Sequence, residues 1–187
     1  MHSLKPVTAL GGIEPRTDVF HHLSIIENDG LALASFAARR GFELECQTVL
    51  KDLLGVVPSV GKAIFNDPIS GFWLGPDQWM LTAPHDSHEL LADIVKNECG
   101  AAASMSEQTG AWVCFDVIGD ALLAFCERIC SAPIRQMQGG DTRRTSIHHL
   151  NCILIKQSAG DQIRIFGPRA SADSLHHALL TTATALA

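Results

Sequence analysis

Phe72-Trp73-Leu74-Gly75-Pro76-Asp77-Gln78-Trp79-Met80-Leu81-Thr82 reads as two apolar strands joined by a tight turn. Pro76 presets one backbone dihedral, and Asp77 can accept a local backbone hydrogen bond. Trp73 and Trp79 are expected to anchor the flanking strands in a core. A strand pair closed this tightly is antiparallel, because parallel strands need a crossover of a dozen residues or more. The motif Trp73, Gly75, Pro76, Asp77, Trp79 is therefore expected to be a structural turn.

Upstream, Phe42, Cys46, Val49, Leu50 and Leu53 recur at three- and four-residue spacing, which predicts a helix over 42–54 stopped by Gly55. Residues 31–38 and 22–27 read as strands separated by the Asn28-Asp29-Gly30 turn signal, and residues 55–70 as a loop. Downstream, residues 86–98 read as a helix capped by Asp86 with Glu89 as box partner, its buried stripe being Leu90, Leu91, Ile94 and Val95. Residues 101–105 would add a closing strand.

The pattern then repeats. A strand at 111–118 leads to a helix capped by Asp120 and running to about Cys130. Strands follow at 145–150, 152–156 and 162–166, then a last helix opened by Ser171 with Leu175, Ala178 and Leu179 inward. The expected fold class is α+β: two similar β-α-β-β-α modules with antiparallel sheets covered by helices. The expected organisation is an irregular N-terminal arm at 1–17, a first module at 18–108 and a second at 109–187, packed with the first as one globular unit.

Composition narrows the function classes. The 187 residues are 47% hydrophobic and 18% charged, with net charge −6 and no Tyr. The mean hydropathy is +0.16 and the pI near 5.8. Disordered tails are poorer in apolar residues than this, and nucleic-acid binders need clustered Lys and Arg. No nucleic-acid or membrane partner is expected. No signal-length apolar run opens the chain and no stretch has membrane-span length, so the expected compartment is the cytoplasm. Six scattered cysteines (46, 99, 114, 126, 130 and 152) suit reduced, buried thiols.

Chemical motifs are sparse. The chain has no G-x-G-x-x-G, P-loop, G-x-S-x-G or C-x-x-C pattern, so no cofactor-binding, metal or catalytic residues are assigned. His148 and His149 with Cys152 are the best metal-like cluster, but neighbours on a strand face opposite ways. His176 and His177 lie about 100° apart on a helix. These histidines, with the pair His21 and His22, are expected to be solvated or at edges. Asp116, inside an apolar strand, is expected on the wetter sheet face in register with Trp112 and Cys114, and otherwise as a functional carboxylate. Arg143 and Arg144 form the densest polar spot, suited to an anionic ligand or a carboxylate on another subunit, or else an exposed strand start. Arg39 and Arg40 read as a surface turn.

Three segments together resemble the gamma subunit of heterotetrameric sarcosine oxidase. They are Gly30-Leu-Ala-Leu-Ala-Ser-Phe-Ala-Ala-Arg-Arg-Gly41, the Trp73-to-Trp79 Gly-Pro-Asp segment, and the C-terminal order of helix, glycine loop, Arg144-Thr145, strands and final helix. The chain departs from the family at Gln78, at Cys130-Ser131-Ala132-Pro133 and at His148-His149. The resemblance implies a fold like the folate-binding domains of glycine-cleavage aminomethyltransferases. It also implies a place in a complex that demethylates sarcosine oxidatively, with alpha, beta and delta subunits as partners and alpha as the direct contact. In that complex FAD, FMN, NAD and tetrahydrofolate belong to other subunits, and the gamma chain serves assembly. Two alternatives stand beside it: a self-sufficient folate-binding or aminomethyl-transferring protein using Asp116, and a small-molecule-binding homo-oligomer using Arg143 and Arg144.

Overall fold

Strand alternation sorts the apolar side chains onto two separate sheets. A computed structural model describes residues 6–158 and 160–186. Residues 1–5 of the expected arm and the last residue of the expected second module lie outside the described residues. In chain order the elements are β1 (Thr17–Phe20), β2 (Leu23–Glu27), β3 (Leu31–Ala38), α1 (Glu43–Leu54), β4 (Ala63–Ile64), β5 (Ser70–Gly75) and β6 (Gln78–Pro84). Then come α2 (His85–His88), α3 (Leu91–Cys99), β7 (Ala103–Glu107), β8 (Trp112–Ile118) and α4 (Leu122–Ile129). The chain closes with β9 (Thr142–Ile147), β10 (Leu150–Lys156), β11 (Gln162–Pro168) and α5 (Ala172–Thr184).

The chain divides into two units, one of residues 30–110 with 140–142, the other of residues up to 29 with 111–139 and 143–187. The unit built on residues 30–110 holds a five-stranded sheet in the order β4-β5-β6-β3-β7. Ala32, Ala34 and Phe36 on β3 share a face with Trp79, Leu81 and Ala83 on β6, and Leu50, Leu91 and Val95 from α1 and α3 complete that core. Burying a side chain of that size contributes about 1.5–3 kcal/mol. Residues 140–142 join the β4 edge, through Ala63 N–H to Gly140 O at 2.7 Å and Thr142 N–H to Gly61 O at 2.8 Å.

The second unit holds a six-stranded sheet in the order β1-β2-β8-β11-β10-β9. Val113, Phe115 and Val117 on β8 meet Leu23, Ile25, Ile163 and Ile165 from the neighbouring strands, with Phe125 of α4 and Leu175 and Leu179 of α5 above them. With the short β4 and α2 and the edge strand β9 set aside, each unit follows the expected run of strand, helix, strand, strand, helix: β3-α1-β5-β6-α3 in one and β8-α4-β10-β11-α5 in the other.

Several expectations change. The strand near 22–27 was expected in the first module, but β2 pairs with β8, Ser24 opposite Ile118 and Glu27 opposite Phe115. An apolar strand carries no local mark of its partner. The 86–98 helix is two pieces, because Leu90 leaves the helical region (φ −102, ψ 55) and no side chain caps α3. Leu91 and Val95 are buried as expected, whereas Leu90 and Ile94 are exposed. Asp120 caps nothing, since the residue before α4 is Ala121. Ser171 precedes α5 without a side-chain cap bond, and a 3-10 turn leads in instead. The 55–70 loop contains β4, and β1 begins at the end of the expected arm.

Candidate functional site

The Trp-bracketed segment is the tight connection between β5 and β6. Trp73 and Trp79 are directly opposed across β5 and β6, with a bulge between Trp73 and Gly75, and Pro76-Asp77 make the two-residue loop. Asp77 takes φ 54, the left-handed conformation found at the second central position of a type II turn, whose first position favours proline. Trp79 is buried, donates Nε1–H to Pro58 O at 2.9 Å, and meets the Phe36 ring edge-on at 6.1 Å between centroids. Trp73 is only partly buried against the same core.

Asp116 does sit on the sheet face opposite Val113, Phe115 and Val117, but that position is not wet: it is 6% exposed. The Arg164 guanidinium grips it with two bonds of 2.8 Å, and Asn28 Nδ2 donates a third at 2.8 Å. Burial is the largest single influence and works against the Arg164 charge, yet the hydrogen bonds to Asp116 together with the charge attraction of Cys114 and Asp116 raise Arg164 above its ordinary value. A carboxylate held by three donors is occupied by structure.

Arg143 and Arg144 lie on β9, which is the sheet edge, Arg143 half-buried and Arg144 exposed. Arg144 lines a surface hollow of about 330 Å³ with Trp112, Thr145, Asn151 and Cys152. The Thr145 hydroxyl is buried without a hydrogen-bond partner. Arg39 and Arg40 are exposed as expected, and Arg39 Nε donates to Ser104 Oγ at 3.2 Å.

Among the histidines, His21, His22, His148, His149 and His177 are exposed as expected, and His176 is not. His148 and His149 are not on a strand: both take positive φ (48 and 68) and form the two-residue turn between β9 and β10. His21 and His22 form the matching loop between β1 and β2, with Phe20 paired to Leu23. His176 is buried rather than solvated. Its Nε2 lies 2.7 Å from an Asp18 carboxylate oxygen and its ring stacks on Phe115 at 5.6 Å.

That histidine borders a polar hollow of about 360 Å³ lined by Thr8, Glu14, Arg16, Glu27, Asp173 and His176 among others. Glu27, 3% exposed, accepts from Leu10 N–H at 3.0 Å and Arg16 N–H at 3.1 Å, so the carboxylate straps the N-terminal segment down. Arg169 completes the strap by donating to Val7 O and Thr8 O at 3.1 Å each. Arg16 in turn pairs with Asp18. Burial alone would raise the Asp18 carboxyl, but hydrogen bonds from Arg16 and His176 together hold it below the ordinary range. Sequence reasoning missed this cluster because its members come from residues 8–27 and 173–176 and share no local spacing. Glu27 at the end of an otherwise apolar strand was the available signal.

All six cysteines are free thiols, five of them buried and Cys130 partly so. Burial pushes Cys126 up to about 12 and Cys152 up to about 11, and raises Cys114 further. Thiols held so far above neutrality are poor nucleophiles. No three His, Cys, Asp or Glu side chains converge as a metal-binding group among the described residues. No helix among them is long and apolar enough to cross a membrane.

The surface of the unit built on residues 30–110 offers a different kind of site. Leu44 at the start of α1 is 80% exposed, and Leu90 and Ile94 at the start of α3 are 59% and 40% exposed. Beside α3, the edge strand β7 borders a hollow of about 360 Å³ lined by Arg39, Leu90, Asp93, Lys96 and Glu107 among others. An open sheet edge next to exposed leucines is a surface of the kind that can pair with or pack against another chain.

No protein-family model matches the chain, and no curated protein sequence matches it. Solved structures do. A chain of the heterotetrameric sarcosine oxidase from Corynebacterium sp. U-96, solved with pyrrole 2-carboxylate, superposes with a TM-score of 0.75 at 18% identity, covering 87% of this chain and 84% of that one. The glycine cleavage system aminomethyltransferase T from Bartonella henselae superposes with a TM-score of 0.62 at 13% identity, covering 85% of this chain and 45% of that enzyme. The α+β fold with two antiparallel sheets is therefore shared with a sarcosine oxidase chain and with part of an aminomethyltransferase.

Proposed function

We propose that this chain is a non-catalytic, gamma-type subunit of a cytoplasmic heterotetrameric sarcosine oxidase, serving assembly and stabilisation of the complex. The supporting observation is the near end-to-end superposition on a chain of such an oxidase, 87% of one against 84% of the other. The aminomethyltransferase likeness, by contrast, takes up less than half of that enzyme. The chain's own side chains agree with a packing role: Asp116 and Glu27 are each held by structural donors. In this reading alpha, beta and delta chains carry FAD, FMN, NAD and tetrahydrofolate. The complex oxidises sarcosine to glycine, passes the one-carbon unit to tetrahydrofolate and forms peroxide. The present chain docks through exposed apolar side chains of the unit built on residues 30–110, Leu44 on α1 and Leu90 and Ile94 at α3, with alpha as its direct contact.

The test is co-expression with the alpha, beta and delta chains of the source organism, followed by size-exclusion chromatography and a sarcosine-dependent peroxide assay. Co-elution at one copy each, with activity that falls when this chain is omitted, is the expected result. A partner-free chain would overturn the reading. Heat on adding tetrahydrofolate to the isolated chain would favour a self-sufficient folate-binding protein instead.

A further inference from the structure

We propose that the turn between β1 and β2 is a two-histidine site for a late first-row divalent metal ion, Cu²⁺ binding most tightly. On a strand, adjacent side chains diverge, and on a helix they splay by about 100°. In this two-residue hairpin loop they converge. His21 Nδ1 and His22 Nε2 approach to 2.6 Å, and the rings tilt at 59° with centroids 4.0 Å apart. Two ring nitrogens at that distance share one proton between two lone pairs. Metal–nitrogen bonds of about 2.0–2.1 Å meeting at a right angle place their nitrogens roughly 2.9 Å apart. A few tenths of an ångström of opening, with the two exposed rings turned so that both lone pairs meet at one point, therefore converts the shared-proton pair into a chelate.

The second observation is Asp120. Its two carboxylate oxygens lie 3.2 and 3.3 Å from His22 Nδ1, on the far side of the ring from His21. Donating Nδ1–H to that carboxylate fixes the tautomer in which Nε2 carries the lone pair, the arrangement that orients and strengthens metal-binding imidazoles. His21 then moves its proton from Nδ1 to Nε2 as the metal enters, and no proton need leave the site.

The support is rigid. His22 O accepts from Ala121 N–H at 3.3 Å. Gly119 stands at φ +147, where a Cβ would lie 2.2 Å from His22 O, so only glycine allows this approach. Gly119 N–H is itself fixed to Asp161 O at 3.0 Å. The histidine turn and Asp120 are thus mounted on one loop. Both rings are exposed, and with no third protein donor converging among the described residues, water or an outside donor fills the remaining positions. Two imidazoles with open positions suit Cu²⁺ over Ni²⁺ and Zn²⁺ by the ordinary order of divalent affinities. The comparison within the molecule is His148-His149, also exposed and also a hairpin turn, whose ring centroids stand 5.9 Å apart.

The experiment adds copper sulfate to the full chain near pH 7 and reads calorimetry and electron paramagnetic resonance. An H2Q background removes the histidine next to Met1. One equivalent with two-imidazole nitrogen splitting is expected. His21→Gln and His22→Gln should each weaken it at least tenfold, and Asp120→Asn by about tenfold, the usual size of a supporting-shell loss. His148→Gln with His149→Gln should leave it unchanged. In the unsubstituted protein, substoichiometric Cu²⁺ should broaden the His21 and His22 ring resonances first. Equal affinity in the His21→Gln, His22→Gln double variant, or equal broadening at His148 and His149, would overturn the site.

Discussion

Asp116 on β8 and Arg164 on β11 stand directly opposite each other in the antiparallel register and close two parallel bonds of 2.8 Å. Asn28, in the loop after β2, supplies the third donor, so this contact joins two strands and the loop after a third at the middle of the six-stranded sheet. The side chains are 9% and 20% exposed, enough burial that each charge depends on the other. The pair fixes how β8 and β11 align, since a one-residue slip would turn Asp116 toward the helix-covered core.

Removing Asp116 alone therefore costs more than the pair contributes. Asp116→Ala leaves the Arg164 charge buried without its carboxylate, and a loss of about 3–5 kcal/mol in urea-unfolding stability is expected. Asp116→Asn, which keeps an acceptor for Arg164, should lose less. A change below about 1 kcal/mol in Asp116→Ala would show that water reaches Arg164 freely.

The Asp18 carboxyl gives a pH dependence. Its folded value lies below its unfolded one, so its contribution is complete above the ordinary aspartate value near 3.9 and is lost as pH falls through the depressed folded value. Asp18→Asn should be less stable than the parent by about 1 kcal/mol at pH 7. The gap should close as the two unfolding curves are followed toward pH 2. A gap that stays constant with pH would mean that Asp18 acts by shape rather than charge.

Local signals carried much of this fold. The strand at 31–38, the helix ended by Gly55 (φ 78) and the Pro76-Asp77 turn each follow from residues within a few positions of one another. What stayed hidden depends on distant partners. β2 could have paired with either sheet, because Leu23 and Ile25 ask only for an apolar face. The break at Leu90 follows no Pro or Gly. His176 is buried because Asp18, 158 positions away, reaches its ring, a pairing that no periodicity encodes. His21 and His22 converge only because their strands end at Phe20 and Leu23, a matter of turn length that the residues themselves leave open.

Thiol chemistry tests the burial of the second core. With Cys126 pushed up to about 12 and Cys152 to about 11, little thiolate forms at pH 8 in the folded chain. A disulfide reagent at pH 8 should label Cys130, the partly exposed one, well before the other five. Denaturation should release all six at once. Fast native labelling of Cys114 or Cys152 would mean that the strands around β8 open on that timescale.

The exposed side chains of α3 carry the prediction for assembly. Helical spacing sends Leu91 and Val95 into the core and leaves Ile94 outside at 40% exposure, while Leu90, just before the helix, is 59% exposed. Side chains with this much surface in solvent contribute less to the folded monomer than the buried stripe does, so charging them costs it only a modest part of its stability. Buried at the centre of an interface, the same positions would each have to desolvate a carboxylate with no partner, at several kcal/mol. A Leu90→Asp, Ile94→Asp double variant should thus keep the thermal midpoint of the isolated chain within a few degrees. Co-elution with the alpha, beta and delta chains should be abolished. The exposed leucine of α1 supplies the graded case: Leu44→Ser, which removes apolar area without adding charge, should weaken co-elution without ending it. Co-elution of the double variant at the parent's level would move the contact surface away from α3.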